Sequence, residues 1–162
     1  MINFRTAPGD ALPGRLTYSG ADQSFEFIPD GDIAEAAPES QEGTTSLVLD
    51  SLQLETAVED GRILYAWGYS PRTSWHNTTL QLPQVVDGVC TAQTTGDEFV
   101  PGVSERVSKS PWIPEFDPAS GVLRVASGME SSQQVIRIAT GVFVGIQEGR
   151  LSELWLHPEL VE

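Results

Sequence analysis

The side chains of this chain that could act as nucleophiles or proton carriers near neutral pH are two histidines, one cysteine and a scatter of serines. A catalytic triad would need His76 or His157 with Ser70, Ser74 or Cys90, and no G-x-S-x-G type signature accompanies any of them. A metal site would need both histidines with a carboxylate such as Glu115 or Asp117, but local spacings such as H-x-H or H-E-x-x-H are absent. Carboxylates pair at Glu59-Asp60, Asp97-Glu98 and Glu115 with Asp117. Acid-base work by such a pair needs one member desolvated, which spacing does not dictate. No catalytic residue, metal or cofactor is therefore assigned, and binding rather than enzymatic turnover is the expected activity.

For binding, the densest stretch is residues 65–76, YAWGYSPRTSWH. Aromatic rings with one polar tip bring large contact area at small entropy cost, and loops carry binding groups more often than strand interiors do. Tyr65 and Trp67 share the strand phase of Ile63 and are expected in the core. That leaves Tyr69, Arg72, Trp75 and His76 as ligand-binding candidates, joined by Trp112 from a later loop. A protein partner is the first expectation, and a small ligand or carbohydrate in a β-barrel or sandwich is the alternative. An enzyme on a β scaffold stands third.

The element that must position these groups is a hairpin. Asp60-Gly61 suits the two-residue type I′ turn, in which both central residues take positive φ. With that turn, Val58 faces Ile63, Thr56 faces Tyr65, Leu54 faces Trp67 and Leu52 faces Tyr69, all on one side of the pleat. Upstream the apolar phase changes between Leu47/Leu49 and Leu52/Leu54, which predicts a bulge near Asp50-Ser51. The C-terminal stretch repeats the grammar. Glu148-Gly149-Arg150 precedes Leu151, and in both places a Trp stands six positions after the Gly. A two-residue turn there pairs Val142 with Trp155.

Elsewhere, residues 2–6, Arg15 to Ser19 and Ser24 to Ile28 read as strands, the last two as a hairpin. Residues 30–45 are acidic and poor in large apolar groups, an expected surface loop with one helical turn capped by Asp32 and stopped by Pro38. Thr79 to Leu82 reads as a strand, and Asp87-Gly88 as a turn between Val85-Val86 and Val89 to Thr94. The 96–120 segment carries Pro101, Pro111, Pro114 and Pro118, so it is expected as a long loop packing Phe99, Trp112, Ile113 and Phe116 over one end of the sheets. Strands follow at 121–126, at 134–146 with a bend at Gly141, and at 150–156. About ten short strands with almost no helical periodicity predict an all-β fold, an antiparallel β-sandwich or flattened β-barrel, over 1–162 as a single domain.

Composition limits the partners. The formal charge is −14, and the first 61 residues hold twelve acidic groups against Arg5 and Arg15. Nucleic acid and anionic membrane are excluded as expected partners, because the nine cations form no basic run. A basic protein surface or self-association fits better. Cys90 stands alone, so no internal disulfide is available. No apolar run reaches the roughly 18 residues of a membrane span, and MINFRTAPGD lacks the charged and apolar regions of a signal peptide. A cytoplasmic location is the resulting expectation.

Overall fold

The computed structural model describes residues 2–96, 98–128, 131–132 and 134–162. In chain order the strands are β1 (Ile2–Pro8), β2 (Gly14–Ser19), β3 (Ser24–Pro29), β4 (Thr44–Leu49), β5 (Leu52–Ala57) and β6 (Ile63–Tyr69). They continue with β7 (His76–Asn77), β8 (Gln84–Thr94), β9 (Glu105–Arg106), β10 (Ile113–Asp117) and β11 (Val122–Ala126). Last come β12 (Gln134–Ala139), β13 (Val142–Gln147), β14 (Arg150–Leu156) and β15 (Glu159–Val161).

These strands form two packed sheets. The larger has the order β1-β8-β12-β13-β14-β11-β10-β7, the smaller β15-β2-β3-β6-β5-β4-β9. Both sheets keep edge strands, so the architecture is an all-β sandwich and not a closed barrel. Antiparallel pairing prevails, with parallel pairs joining β8 to β12, β7 to β10, β2 to β15 and β4 to β9. The count exceeds ten chiefly because β7, β9 and β15 are very short edge strands.

Alternation explains the core. Leu16 and Tyr18 of β2, Phe25 and Phe27 of β3, and Leu52 and Leu54 of β5 point inward from the smaller sheet. From the larger sheet, Phe4, Cys90, Ile138, Val144, Leu154 and Leu156 meet them. In the 30–45 segment, Asp32 caps the one-turn helix Ile33–Ala36 by accepting the Ala34 amide at 2.9 Å. A 3₁₀ turn, Pro38–Glu42, follows.

Five sequence expectations are corrected. At Asp50-Ser51 the phase change is a hairpin turn and not a bulge: Leu49 pairs with Leu52, and Asp50 takes φ of +55°. At Asp87-Gly88 the chain does not turn. Residues 84–94 are one strand, with β1 on one side and β12 on the other. Gly88 is there for proximity, since a Cβ would sit 2.8 Å from the Ala7 carbonyl oxygen. Arg137 grips Asp87 through two 2.8 Å hydrogen bonds, holding that carboxyl below its usual range.

Residues 79–82 form no strand. Their backbone bonds go elsewhere: the Thr78 amide to the Phe116 carbonyl at 2.8 Å, and the Leu80 amide to the Asp117 carboxylate at 3.0 Å. This strap lays Leu80 and Leu82 on the outer face of the larger sheet, over Val122, Val135, Phe143 and Trp155. Finally, the 96–120 stretch is not all loop. Glu105–Arg106 pairs with β4, and Ile113–Asp117 is a full strand beside β11. Pro114 is tolerated because the parallel neighbour of β10, the two-residue β7, pairs only with Glu115 and Phe116.

The β5–β6 register also differs. The loop runs over Val58 to Gly61, closed by the Ala57 amide on the Arg62 carbonyl at 2.8 Å, and a bulge follows at Leu64. Thr56 therefore faces Ile63, while Gln53 faces Trp67 and Glu55 faces Tyr65. Trp67 thus stands half-buried on the outer face instead of in the core, while Tyr65, also half-buried, packs at the margin of the core with its ring stacked on Phe27, centroids 5.0 Å apart.

Candidate functional site

β6 ends at Tyr69 and the chain then turns through Ser70 and Pro71 into a short 3₁₀ segment, Arg72–Ser74. Ser70 organises this exit. Its carbonyl accepts the Tyr18 hydroxyl at 2.7 Å, and its hydroxyl accepts the Trp75 indole N–H at 2.9 Å. Trp75 lies against Tyr18 and Phe116, with ring centroids 4.9 and 4.8 Å away. It closes the end of the core. Arg72 places its guanidinium 5.2 Å from the centre of the Tyr18 ring. Burial pushes the Tyr18 hydroxyl up, and the nearby Arg72 charge works against that shift.

The structure thereby divides the five candidate residues. Tyr69 and Trp112 share one cleft between the sheets. Arg72 and Trp75 share Tyr18 instead, where they pack the sandwich end. His76 is exposed on the two-residue edge strand, whose backbone pairs with Glu115.

The cleft has a volume of about 290 Å³. The β4–β5 turn, Leu49 to Leu52, forms one wall and Tyr69 to Pro71 another. Ser74, Trp112, Pro114 and Val125 complete it. Two contacts fix its shape: the Trp112 amide donates to the Asp50 carboxylate at 2.8 Å, and the Ser51 hydroxyl donates to the Tyr69 carbonyl. Trp112 is 5% exposed, and its indole N–H has no acceptor among the described residues. Tyr69 is 51% exposed. Asp50 is not legible in the sequence as a wall residue, because the apolar phase change at Asp50-Ser51 reads as a bulge and is a turn.

The nucleophiles considered from sequence are otherwise engaged. The Ser74 hydroxyl donates to the Pro71 carbonyl at 2.7 Å. Cys90 is fully buried and its thiol is pushed up to about 12 by desolvation, so it holds its proton at neutral pH. Asp117 accepts the Leu80 and Ala119 amides, which hold its carboxyl below the usual range. Among the described residues no group of three or more His, Cys, Asp or Glu side chains is placed to hold a metal ion. Asp97, one half of a carboxylate pair, lies outside them.

A second polar cluster escaped sequence reading. Glu153 is fully buried on the outer side of β14, accepting Arg124 Nε at 2.6 Å and the Ser132 amide at 3.0 Å. Arg124 also reaches Glu115 at 2.8 Å and Ser131 at 3.0 Å. With both carboxylate oxygens satisfied, the group is a structural tie between three strands and the 131–132 segment. The one signal was a charge inside an otherwise apolar run, Ser152-Glu153-Leu154-Trp155.

Fold and contacts define the class: an all-β sandwich with one end cleft built from a hairpin turn, a strand exit and a Pro-rich crossing segment. No protein-family model matches the chain, and no curated protein matches it. Among the described residues no helix is long and apolar enough to cross a membrane.

Proposed function

We propose that this protein is a non-catalytic binding domain whose partner is another protein, engaged along the outer face of β6 and the adjoining end cleft. The carrying observation is internal to the molecule. Trp155, on the outer face of the larger sheet, is 3% exposed beneath the Leu80-Leu82 strap. Trp67 occupies the matching place on the smaller sheet and is only partly buried, in line with Tyr69. Ile28 on the neighbouring β3 is 44% exposed. A sheet face bearing Trp, Tyr and Ile side by side is the kind of surface that a second chain covers. The surrounding charge favours a basic partner, since the chain carries −14 overall and Glu55 and Glu26 stand on β5 and β3 beside this stripe.

The test places the photo-crosslinker p-benzoylphenylalanine at position 69, and at position 85 as a control on the other sheet, in extract of the source cells. A discrete protein adduct from position 69, absent from position 85 and lost in Trp67→Ser, is the expected result. Adducts of equal yield from both positions, or none from 69, would refute the reading.

A further inference from the structure

We infer that the end cleft receives the cationic side chain of a lysine or arginine presented by that partner. This rests on the protein-binding reading and specifies the chemistry of the contact. Size comes first. At about 290 Å³ the cleft sits at the bottom of the range of small-molecule pockets, roughly 300–1,000 Å³, and suits one long side chain.

Its lining is split by chemistry. Leu52, Val125 and Trp112 offer an apolar wall to a methylene stem, the way Lys and Arg stems cover apolar surface while the charged head stays polar. Asp50 is the only charged residue among the described lining residues, and no cation accompanies it. One of its oxygens is held by the Trp112 amide at 2.8 Å. The other accepts from no described group, so a lone pair remains for an incoming donor.

Other occupants fit less well. An anion would meet Asp50 and the charge of the whole chain. Asp50 is solvent-exposed, and a purely apolar side chain would offer its free oxygen no donor. A lysine or arginine gives it a charge-assisted hydrogen bond.

The probes are capped pentapeptides, Gly-Gly-Xaa-Gly-Gly, with Xaa lysine, arginine, norleucine or citrulline, titrated against the full chain and followed by amide NMR. Lysine and arginine peptides should shift Asp50, Ser51 and Trp112 and bind about tenfold more tightly than their neutral isosteres at low salt. Asp50→Asn should bring that ratio near one. Asparagine can still accept the Trp112 amide and tolerates positive φ, so the fold is retained and an unchanged amide spectrum elsewhere checks it. Equal binding of the norleucine peptide, a preference surviving Asp50→Asn, or no binding by any peptide would overturn the cation assignment. Those outcomes leave the crosslink at position 69 intact, whereas loss of the crosslink would overturn the protein-binding reading itself.

Discussion

The hairpins β5–β6 and β13–β14 begin from nearly the same local sequence and share more geometry than that sequence promised. In each, a bulge falls three residues after the turn glycine, at Leu64 and at Ser152. Beyond it the partners correspond: Gln53 with Trp67 and Phe143 with Trp155, Leu54 with Ala66 and Val144 with Leu154. Both tryptophans consequently point to the outside of their sheets. Their fates diverge. Trp67 keeps solvent contact and gives its indole N–H to Glu55 at 3.1 Å, whereas Trp155 is buried with an indole N–H that no described residue accepts. Nothing in the hairpins causes this. The strap at 78–83 covers one and leaves the other open. A strand pattern sets the face of a residue, and a distant segment decides whether that face is wet.

The turns differ as well. Glu148 and Gly149 both take positive φ, +50° and +76°, and Gln147 pairs with Arg150, the two-residue turn expected there. At Asp60-Gly61 only the glycine is in that region, within a four-residue loop. The loop lets the Gly61 carbonyl accept the Ala92 amide at 2.8 Å, tying the smaller sheet to β8.

The largest expected effect separates the tryptophans. Trp155→Ala should cost about 3–5 kcal/mol, as for large-to-small changes in a closed core, and Trp67→Ala roughly half of that because part of its ring is already hydrated. Urea unfolding with unchanged m reads both, and equal losses would mean the covering strap contributes nothing.

Next come the turn glycines. Alanine at either place meets a left-handed backbone, about 1–2 kcal/mol. At Gly149 the nearest atom to a new Cβ is the Asn3 side-chain oxygen at 3.5 Å, so no further cost is expected. At Gly61 it would lie 2.0 Å from the Ala92 carbonyl oxygen, which forces the two sheets apart. Gly61→Ala should therefore lose about 3 kcal/mol or more, with faster hydrogen exchange at the Ala92 amide. Matching values for the two substitutions would dismiss the inter-sheet tie.

The smallest effect concerns the strap. Asp117 is held ionised below its usual range by the Leu80 and Ala119 amides, so its contribution is present above the unfolded carboxyl value, near pH 3.9, and fades as pH falls through the lower folded one. Acidification below about pH 4 should loosen the strap and shift Trp155 emission to the red. In Asp117→Asn that acid-dependent step should vanish; a step of full size in the variant would assign it to another group.

Of the candidate site, the sequence made Tyr69 and Trp112 visible as large aromatics outside the reliable strand cores. It could not bring them together, because 42 residues of chain lie between them and their meeting depends on β10 pairing with β11. Asp50 was in view only as a phase break. Arg72 and Trp75 looked like surface groups because nothing local tells that Tyr18, on a strand far upstream, lies beneath both.

By itself the sequence determined the all-β class, the inward set on β2, β3 and β5, the helical turn capped by Asp32 and the tight turn at Glu148-Gly149. Each follows from interactions within a few residues: alternation, capping and the positive φ that turn glycines permit. Tertiary structure alone decided the register of β5–β6, the passage of β8 straight through Asp87-Gly88, and which tryptophan is covered. Those outcomes depend on close contact with Ala92, Ala7 and the Leu80 strap, each supplied by chain too far away in sequence for any local pattern to announce it.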